Sequence, residues 1–216
     1  MAASDLIADV QDVIQDDAYG EDEVMPLLNR AMTLISNKVL LPELEAFADI
    51  VTVANTQSIA LPANYHRELF KVKSAVYNDI PIFTSPARLF DACGLALEGM
   101  AGDVQAVAVI PGQTLFLYKV PRAAQTLTVW YFRKPLDMAA DVDDPDGLPE
   151  QFHDMLSNFA CWKLFDKIED GIEGKKVNAD HYMGLWLDAL TIGLPSFVEG
   201  LGVSRRKAPT VRGEFL

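Results

Sequence analysis

The chain has 216 residues, half of them apolar, which excludes a disordered chain and allows one ordinary domain or a core with one insertion. Its formal net charge of −13 argues against direct binding of nucleic acid by the main part of the chain, because contact with the phosphate backbone needs clustered cations. No apolar run is long enough to cross a bilayer, so we expect no membrane partner.

The charges are unevenly distributed along the chain. Residues 1–25 and 137–154 are rich in Asp and Glu and contain no Lys or Arg. Near the C-terminus the sign reverses, at Arg205, Arg206, Lys207 and Arg212. An acidic body with a short basic end suits head-to-tail contact between protein subunits.

Two helices are predicted first. Ser4 is a candidate cap for a helix over residues 5–17, with Leu6, Val10 and Ile14 on its apolar stripe. A second helix is predicted from Asp22 to about Lys38, and Pro26 is expected in its first turn.

The apolar pattern then changes to the alternation typical of β-strands, with turn-forming residues between the segments. Predicted strands cover residues 50–54, 58–61, 69–77, 80–83, 104–110, 114–119 and 126–132. Ser85-Pro86 indicates the start of a short helix among them. Cys93 and Cys161 lie in apolar helical patterns, so they are interpreted as buried thiols of a reducing compartment.

Two helices close the pattern. The longest in the chain is predicted to begin at Pro149, with an apolar stripe from Phe152 to Ile168, and a last one spans about 178–190. The fold class is therefore α+β. A helical bundle from both chain ends (1–48 and 149–195) carries an inserted antiparallel β-rich module (49–135), followed by an acidic linker (136–148). Residues 196–216 are predicted to form an extended C-terminal arm.

The acidic linker suggests a cation site that its spacing does not support. Counted from Asp141, the positions that an EF-hand fills with carboxylates hold Pro145 and Phe152, so the calcium motif fails. A small metal-dependent hydrolase using Asp141, Asp143 and His153 is the alternative from another class. No catalytic or metal-binding spacing supports it, and we expect no cofactor, no metal and no enzymatic activity.

Trp130 and Phe132, beside Arg133 and Lys134, allow two interpretations. They are either a stacking platform for nucleic acid or part of a packed strand, and the packed strand is favoured. The basic C-terminal end also has two interpretations. It is either a solubilising tail or an arm that orders on a partner, with Phe215 and Leu216 as apolar anchors.

Several segments, in their order and spacing, resemble the head-to-tail adaptor (head-completion) proteins of tailed bacteriophages, especially short-tailed ones. The matching segments are LLNRAMTLIS and LLPELEAF (27–47), LPANYHRELFKV (61–72), VPRAAQTLTVWYFRKP (120–135), LPEQFHDMLSNFACWKLFDKIED (148–170) and NADHYMGLWLDAL near the end. Together they cover about residues 5–192.

The resemblance implies a structural virion protein at the capsid portal vertex, assembled in the host cytoplasm. It implies a homo-oligomeric ring of about twelve copies that joins the portal protein to a tail or nozzle protein and extends the DNA ejection channel. DNA would pass without specific binding. The C-terminal arm would contact the portal through Arg205, Arg206, Lys207, Arg212, Phe215 and Leu216. A tail-completion or terminator subunit is the alternative within this class.

Overall fold

The computed structural model describes residues 1–15, 19–93, 100–140, 142–170 and 176–201, and within them the chain forms two compact units. One unit is helical and contains Met1–Leu44 together with the described residues from Lys134 to Leu201. The other is built mainly of strands and contains Glu45–Arg133. Helices and strands are thus largely segregated, which confirms the predicted α+β class.

The helices are α1 (Ala3–Ile14), α2 (Glu21–Lys38), α3 (Pro86–Cys93), α4 (Asp154–Ile168), α5 (Val177–Asp188) and α6 (Leu194–Gly200). The strands are β1 (Glu45–Val51), β2 (Ser58–Ala60), β3 (Tyr65–Ser74), β4 (Ile82–Phe83), β5 (Ala106–Ile110), β6 (Thr114–Tyr118) and β7 (Thr126–Arg133). A π-helical turn, Ala189–Gly193, joins α5 to α6.

Helix α4 is the centre of the helical unit, because α1, α2 and α5 all pack against it. A helix packed on several sides must be apolar on several faces. Its buried apolar side chains are accordingly Met155, Leu156, Phe159, Ala160, Cys161 and Leu164. The apolar stripe predicted for this helix consists of Phe152, Met155 or Leu156, Phe159, Trp162, Phe165 and Ile168. It is incomplete, because it omits the buried Leu164 and includes Ile168, which is exposed. The longest helix is α2, with 18 residues, rather than the 15-residue α4.

Several predicted helix positions in this unit are wrong. Helix α4 begins at Asp154 rather than at Pro149, after a short 3-10 helix over Glu150–Phe152. Helix α1 begins before Ser4, and the Asp5 carboxylate accepts a hydrogen bond from the backbone N–H of Ala2 at 3.0 Å. Pro26 lies inside α2, beyond its first turn. The chain after Pro195 continues as α6 to Gly200, so the predicted extended arm cannot start at residue 196. Pro195 occupies the first turn of α6, where its missing N–H costs little.

The returning chain is attached to α2 by one side chain. Asn29 donates its amide N–H to the carbonyl of Met138 at 2.9 Å and accepts the N–H of Met138 at 2.8 Å. Met138 is buried. This pair of bonds holds the acidic linker against the helix at the point where the chain re-enters the helical unit.

The β unit contains two sheets that share an apolar core. Their strand orders are β1-β7-β3 and β2-β6-β5-β4. Side chains from both sheets enter the same cluster, among them Val72, Val129 and Tyr131 from the first and Val107 and Leu117 from the second. Strands β5 and β6, which lie within the predicted strands 104–110 and 114–119, form an antiparallel hairpin in which Ile110 pairs with Thr114 across the turn.

The module is not wholly antiparallel as predicted, because β4 pairs with β5 in parallel. Pro81 explains the departure: it has no N–H with which to continue the pairing of the chain against β3. Its carbonyl instead accepts the N–H of Val107 at 3.0 Å, which aligns the next two residues beside β5. Strand β1 also begins at Glu45, earlier than the predicted residue 50, because its inward positions include the small residues Ala46 and Ala48.

Gly147 provides a first prediction, because its φ of +75° is disfavoured for other residues and a Cβ there would lie 2.7 Å from Cδ2 of Leu44. We expect Gly147→Ala to lower the free energy of unfolding by about 1–2 kcal/mol for the backbone and about 1–3 kcal/mol more for the clash. Gly112→Ala, at φ +88° with open space around it, should show only the backbone cost. Urea denaturation measures both.

A double-mutant cycle tests the clash directly. Leu44→Ala should remove most of the packing part of the Gly147→Ala loss. Equal losses for Gly147→Ala and Gly112→Ala, or no coupling to Leu44, would contradict the assignment.

Candidate interaction surfaces

The predicted portal-binding residues lie outside the described residues. They are Arg205, Arg206, Lys207, Arg212, Phe215 and Leu216. Asp141, the first carboxylate of the alternative hydrolase site, also lies outside them.

The other two residues of that alternative site, Asp143 and His153, are engaged by the protein itself. The Asp143 carboxylate accepts the backbone N–H groups of Ala139 and Ala140 at 2.8 and 2.9 Å. These two hydrogen bonds lower the pKa of Asp143, because they stabilise its charged form. The carboxylate thus acts as a brace for the linker.

His153 is buried, and both of its ring nitrogens have neighbours. Nε2 lies 2.9 Å from the carbonyl oxygen of Leu148, and Nδ1 lies 3.2 Å from the N-terminal amino group of Met1. Across the described ranges, no group of three or more His, Cys, Asp or Glu side chains is placed to hold a metal ion. None of the helices in those ranges combines the length and apolar character needed to span a membrane.

The aromatic strand around Trp130 is a packed strand, as favoured above. Tyr131 and Phe132 are buried, and Tyr131 donates a hydrogen bond from its hydroxyl to Asn64 at 2.6 Å. Trp130 is only half-buried, and the ammonium groups of Lys71 and Lys73 lie 5.0 and 5.3 Å from the centre of its ring.

A second aromatic and cationic surface lies in the helical unit, and sequence reasoning missed it. It is a groove of about 290 Å³ between α2, α4 and the end of the α5 segment, and we call it the basic groove. Its walls include the rings of Phe159, Trp162 and Trp186, and its cations are Arg30, Lys38 and Lys163. The adjacent pair Trp162-Lys163 in α4 was the signal in the sequence.

The same unit carries an acidic stripe, defined as Asp5, Asp9 and Asp12 of α1. Their spacing of four and three residues places them on one face of the helix, and all three are exposed. Partial burial raises the pKa of Asp9. Nearby negative charges raise it further, and they belong to Asp154, Asp12 and Asp5. Asp5 is partly stabilised by the backbone N–H of Ala2, whereas Asp9 and Asp12 form no ion pair with any described residue.

Comparison with protein families finds a match over most of the chain. The family model described as SU10 adaptor protein matches residues 1–202 of the chain. No curated protein matches it.

Asp143 supplies a prediction of pH dependence. Its pKa is lowered in the folded protein, so its contribution to stability is complete above the pKa of a free aspartate, about 4. That contribution is lost as the pH falls through the lower pKa of the folded state. Asp143→Ala should therefore lower the urea midpoint at neutral pH, and the difference from the unchanged protein should shrink in strong acid.

The control is Asp137→Ala, which removes an exposed carboxylate of the same linker. It should leave the midpoint nearly unchanged at both pH values. If the urea midpoint of Asp143→Ala remains equally far below that of the unchanged protein in acid, the loss of stability does not come from the charge of Asp143.

The two thiols supply a further prediction. Burial raises the pKa of Cys161 to about 12, and Cys161 is fully enclosed, whereas Cys93 is half-buried. At about pH 8 the thiolate fraction of Cys161 is then on the order of one in ten thousand. Alkylation by iodoacetamide, followed by mass spectrometry, should modify Cys93 much faster than Cys161. In denaturing guanidinium chloride the two rates should converge, and equal rates in the folded protein would contradict the enclosure.

Proposed function

Because the chain belongs to the SU10 adaptor protein family, we propose that it forms a ring joining the portal to the tail of a phage. Membership makes the chain a structural adaptor protein of a phage virion, and the match over residues 1–202 is the observation that carries the proposal. In the proposal about twelve copies form the ring, which extends the DNA channel of a short-tailed phage. The protein needs no cofactor and performs no catalysis.

The charge of the protein supports a role as a conduit. A net charge of −13 repels the phosphate backbone, so a duplex slides past the wall without specific binding. Some of the described cations lie over aromatic rings, as Lys71 does at Trp130 and Lys163 does at Trp162, and others are paired with carboxylates, as Lys167 is with Glu23.

The C-terminal arm is the proposed contact with the portal. Arg205, Arg206, Lys207 and Arg212 would pair with acidic groups of the portal, and Phe215 and Leu216 would anchor the end in apolar pockets. All six proposed contact residues lie beyond the matched residues 1–202, so this contact is proposed for this chain from its own sequence.

Negative-stain microscopy of the protein mixed with the portal protein of the same phage, beside each alone, tests the role. We expect the portal ring to gain one layer only in the mixture. A protein that leaves the portal unchanged but caps a tail protein would replace the proposal with the tail-completion role.

The arm is tested by replacing Arg205, Arg206, Lys207 and Arg212 together with Ala. Removing four cations should weaken portal binding at least about tenfold, because charge-assisted contacts contribute more than 1 kcal/mol in total. The matched control replaces Lys71, Lys73, Arg88 and Arg122, which changes the net charge equally. Binding measured by sedimentation should be lost only in the first variant. Equal loss of portal binding in the two variants would show that the net charge of the protein, and not the arm, determines this binding.

A further inference from the structure

We propose that the basic groove receives the acidic stripe of a second copy of this chain, so that the groove and the stripe are the two halves of one contact between neighbouring subunits. The inference rests on the proposed ring and names the surfaces that would build it. Three features of the helical unit support the contact: cations without an ion pair, carboxylates without an ion pair, and their placement on different parts of the unit.

The cations of the groove form no ion pair in the described part of the chain, although the charge of Asp166 acts on Lys163 from the same helix. Arg30, Lys38 and Lys163 form no ion pair there, whereas Lys167 and Lys176 each do. The ammonium group of Lys163 lies 3.5 Å from the centre of the Trp162 ring. Burial lowers the pKa of Lys163, the negative charge of Asp166 opposes that shift, and the positive charge of Arg30 acts in the same direction as burial. A further carboxylate entering the groove would stabilise the charged form of Lys163 and offset the repulsion from Arg30.

The apolar character of the groove adds a second requirement for its occupant. Phe159 and Trp186 are buried, with ring centres 4.9 Å apart, and Trp162 is half-buried at the surface. An occupant must therefore offer apolar contact beside its charge. Strongly hydrated phosphates alone do not meet that requirement.

The acidic stripe meets both requirements. Asp9 and Asp12 form no ion pair with any described residue. Val13, on the next position along α1, is 38% exposed and provides an apolar surface beside the carboxylates. The stripe is one helical face of rigid geometry, because the opposite face of α1 is buried through Leu6 and Val10.

The stripe cannot enter the groove of its own copy. Asp9 is close enough to Asp154, at the start of α4, to be affected by its charge, whereas Lys163 lies nine residues further along the same helix. At about 1.5 Å per residue, this separates the two surfaces by about 14 Å along α4. Helix α1 is packed onto α4 and cannot slide over that distance.

A contact between two different surfaces leaves one groove and one stripe unused in every pair of copies. Such a heterologous contact adds further copies, and it forms a ring where the rotation between neighbouring copies closes, as the proposed function requires. Charge complementarity fixes the direction of addition, because two grooves or two stripes repel each other.

Charge reversal tests the contact. Variant one carries Arg30→Glu and Lys163→Glu, variant two carries Asp9→Lys and Asp12→Lys, and variant three carries all four changes. The control carries Lys71→Glu and Lys73→Glu, which reverses two cations beside another tryptophan. Circular dichroism establishes that each variant is folded.

Association is measured by carbodiimide cross-linking of a mixture of ordinary and ¹⁵N-labelled protein, alone at high concentration and with the portal protein. We expect mixed-isotope links between α1 carboxylates and Lys38 or Lys163. Variants one and two should lose these associations at least about tenfold, and variant three should recover most of the loss. The control should behave as the unchanged protein.

The outcomes separate this inference from the proposed function. A layer on the portal without these links, or with links insensitive to the reversals, overturns the groove contact and leaves the adaptor role. Links between isolated copies without a portal layer retain the contact and overturn portal docking. If neither links nor a layer form, both the groove contact and portal docking are overturned. If duplex DNA competes for the groove at moderate salt, nucleic acid is the occupant instead of a second copy.

Discussion

The helical unit depends on the burial of α4 on several sides. A helix with buried residues such as Leu156, Phe159 and Leu164 exposes apolar surface wherever a neighbour is missing, and its neighbours come from both ends of the chain. Helices α1 and α2 precede the β unit, whereas α5 follows α4. The chain must therefore leave the helical unit at Leu44 and return to it at Lys134. The pairing of Asn29 with Met138 holds the returning segment in place.

The parts of the fold that could be predicted from the sequence are those with a strong local signal. Strand β7, rich in aromatic and β-branched residues, lies within one residue of its predicted end. Ser85 caps α3 as expected, because its hydroxyl accepts the N–H of Arg88 at 3.3 Å. The errors fall where pairing with another strand, and not the local sequence, determines the structure. The carbonyl of Pro81 accepts a hydrogen bond from the N–H of Val107, which places β4 in the second sheet. The local sequence around Pro81 does not indicate which strand donates that hydrogen bond.

The surfaces were harder to predict than the elements. The basic groove brings together Arg30, Lys163 and Trp186, which are far apart in the sequence and meet only because α2 and α5 share α4 as a neighbour. The carboxylates of the linker were visible in the sequence but misleading about chemistry. The Asp143 carboxylate accepts hydrogen bonds from two backbone N–H groups, and these bonds are visible only in the folded loop.

Strand β1 lies at the edge of its sheet, and its outward side alternates Glu45, Phe47, Asp49 and Val51. Phe47 is 70% exposed, so an uncharged version of this strand would be a template for pairing with the same strand of another molecule. Glu45 and Asp49 interrupt that template, since stacking identical strands would bring identical carboxylates together. The two acids thus protect the chain from fibrillar aggregation while it accumulates, at no cost to the packing of its core.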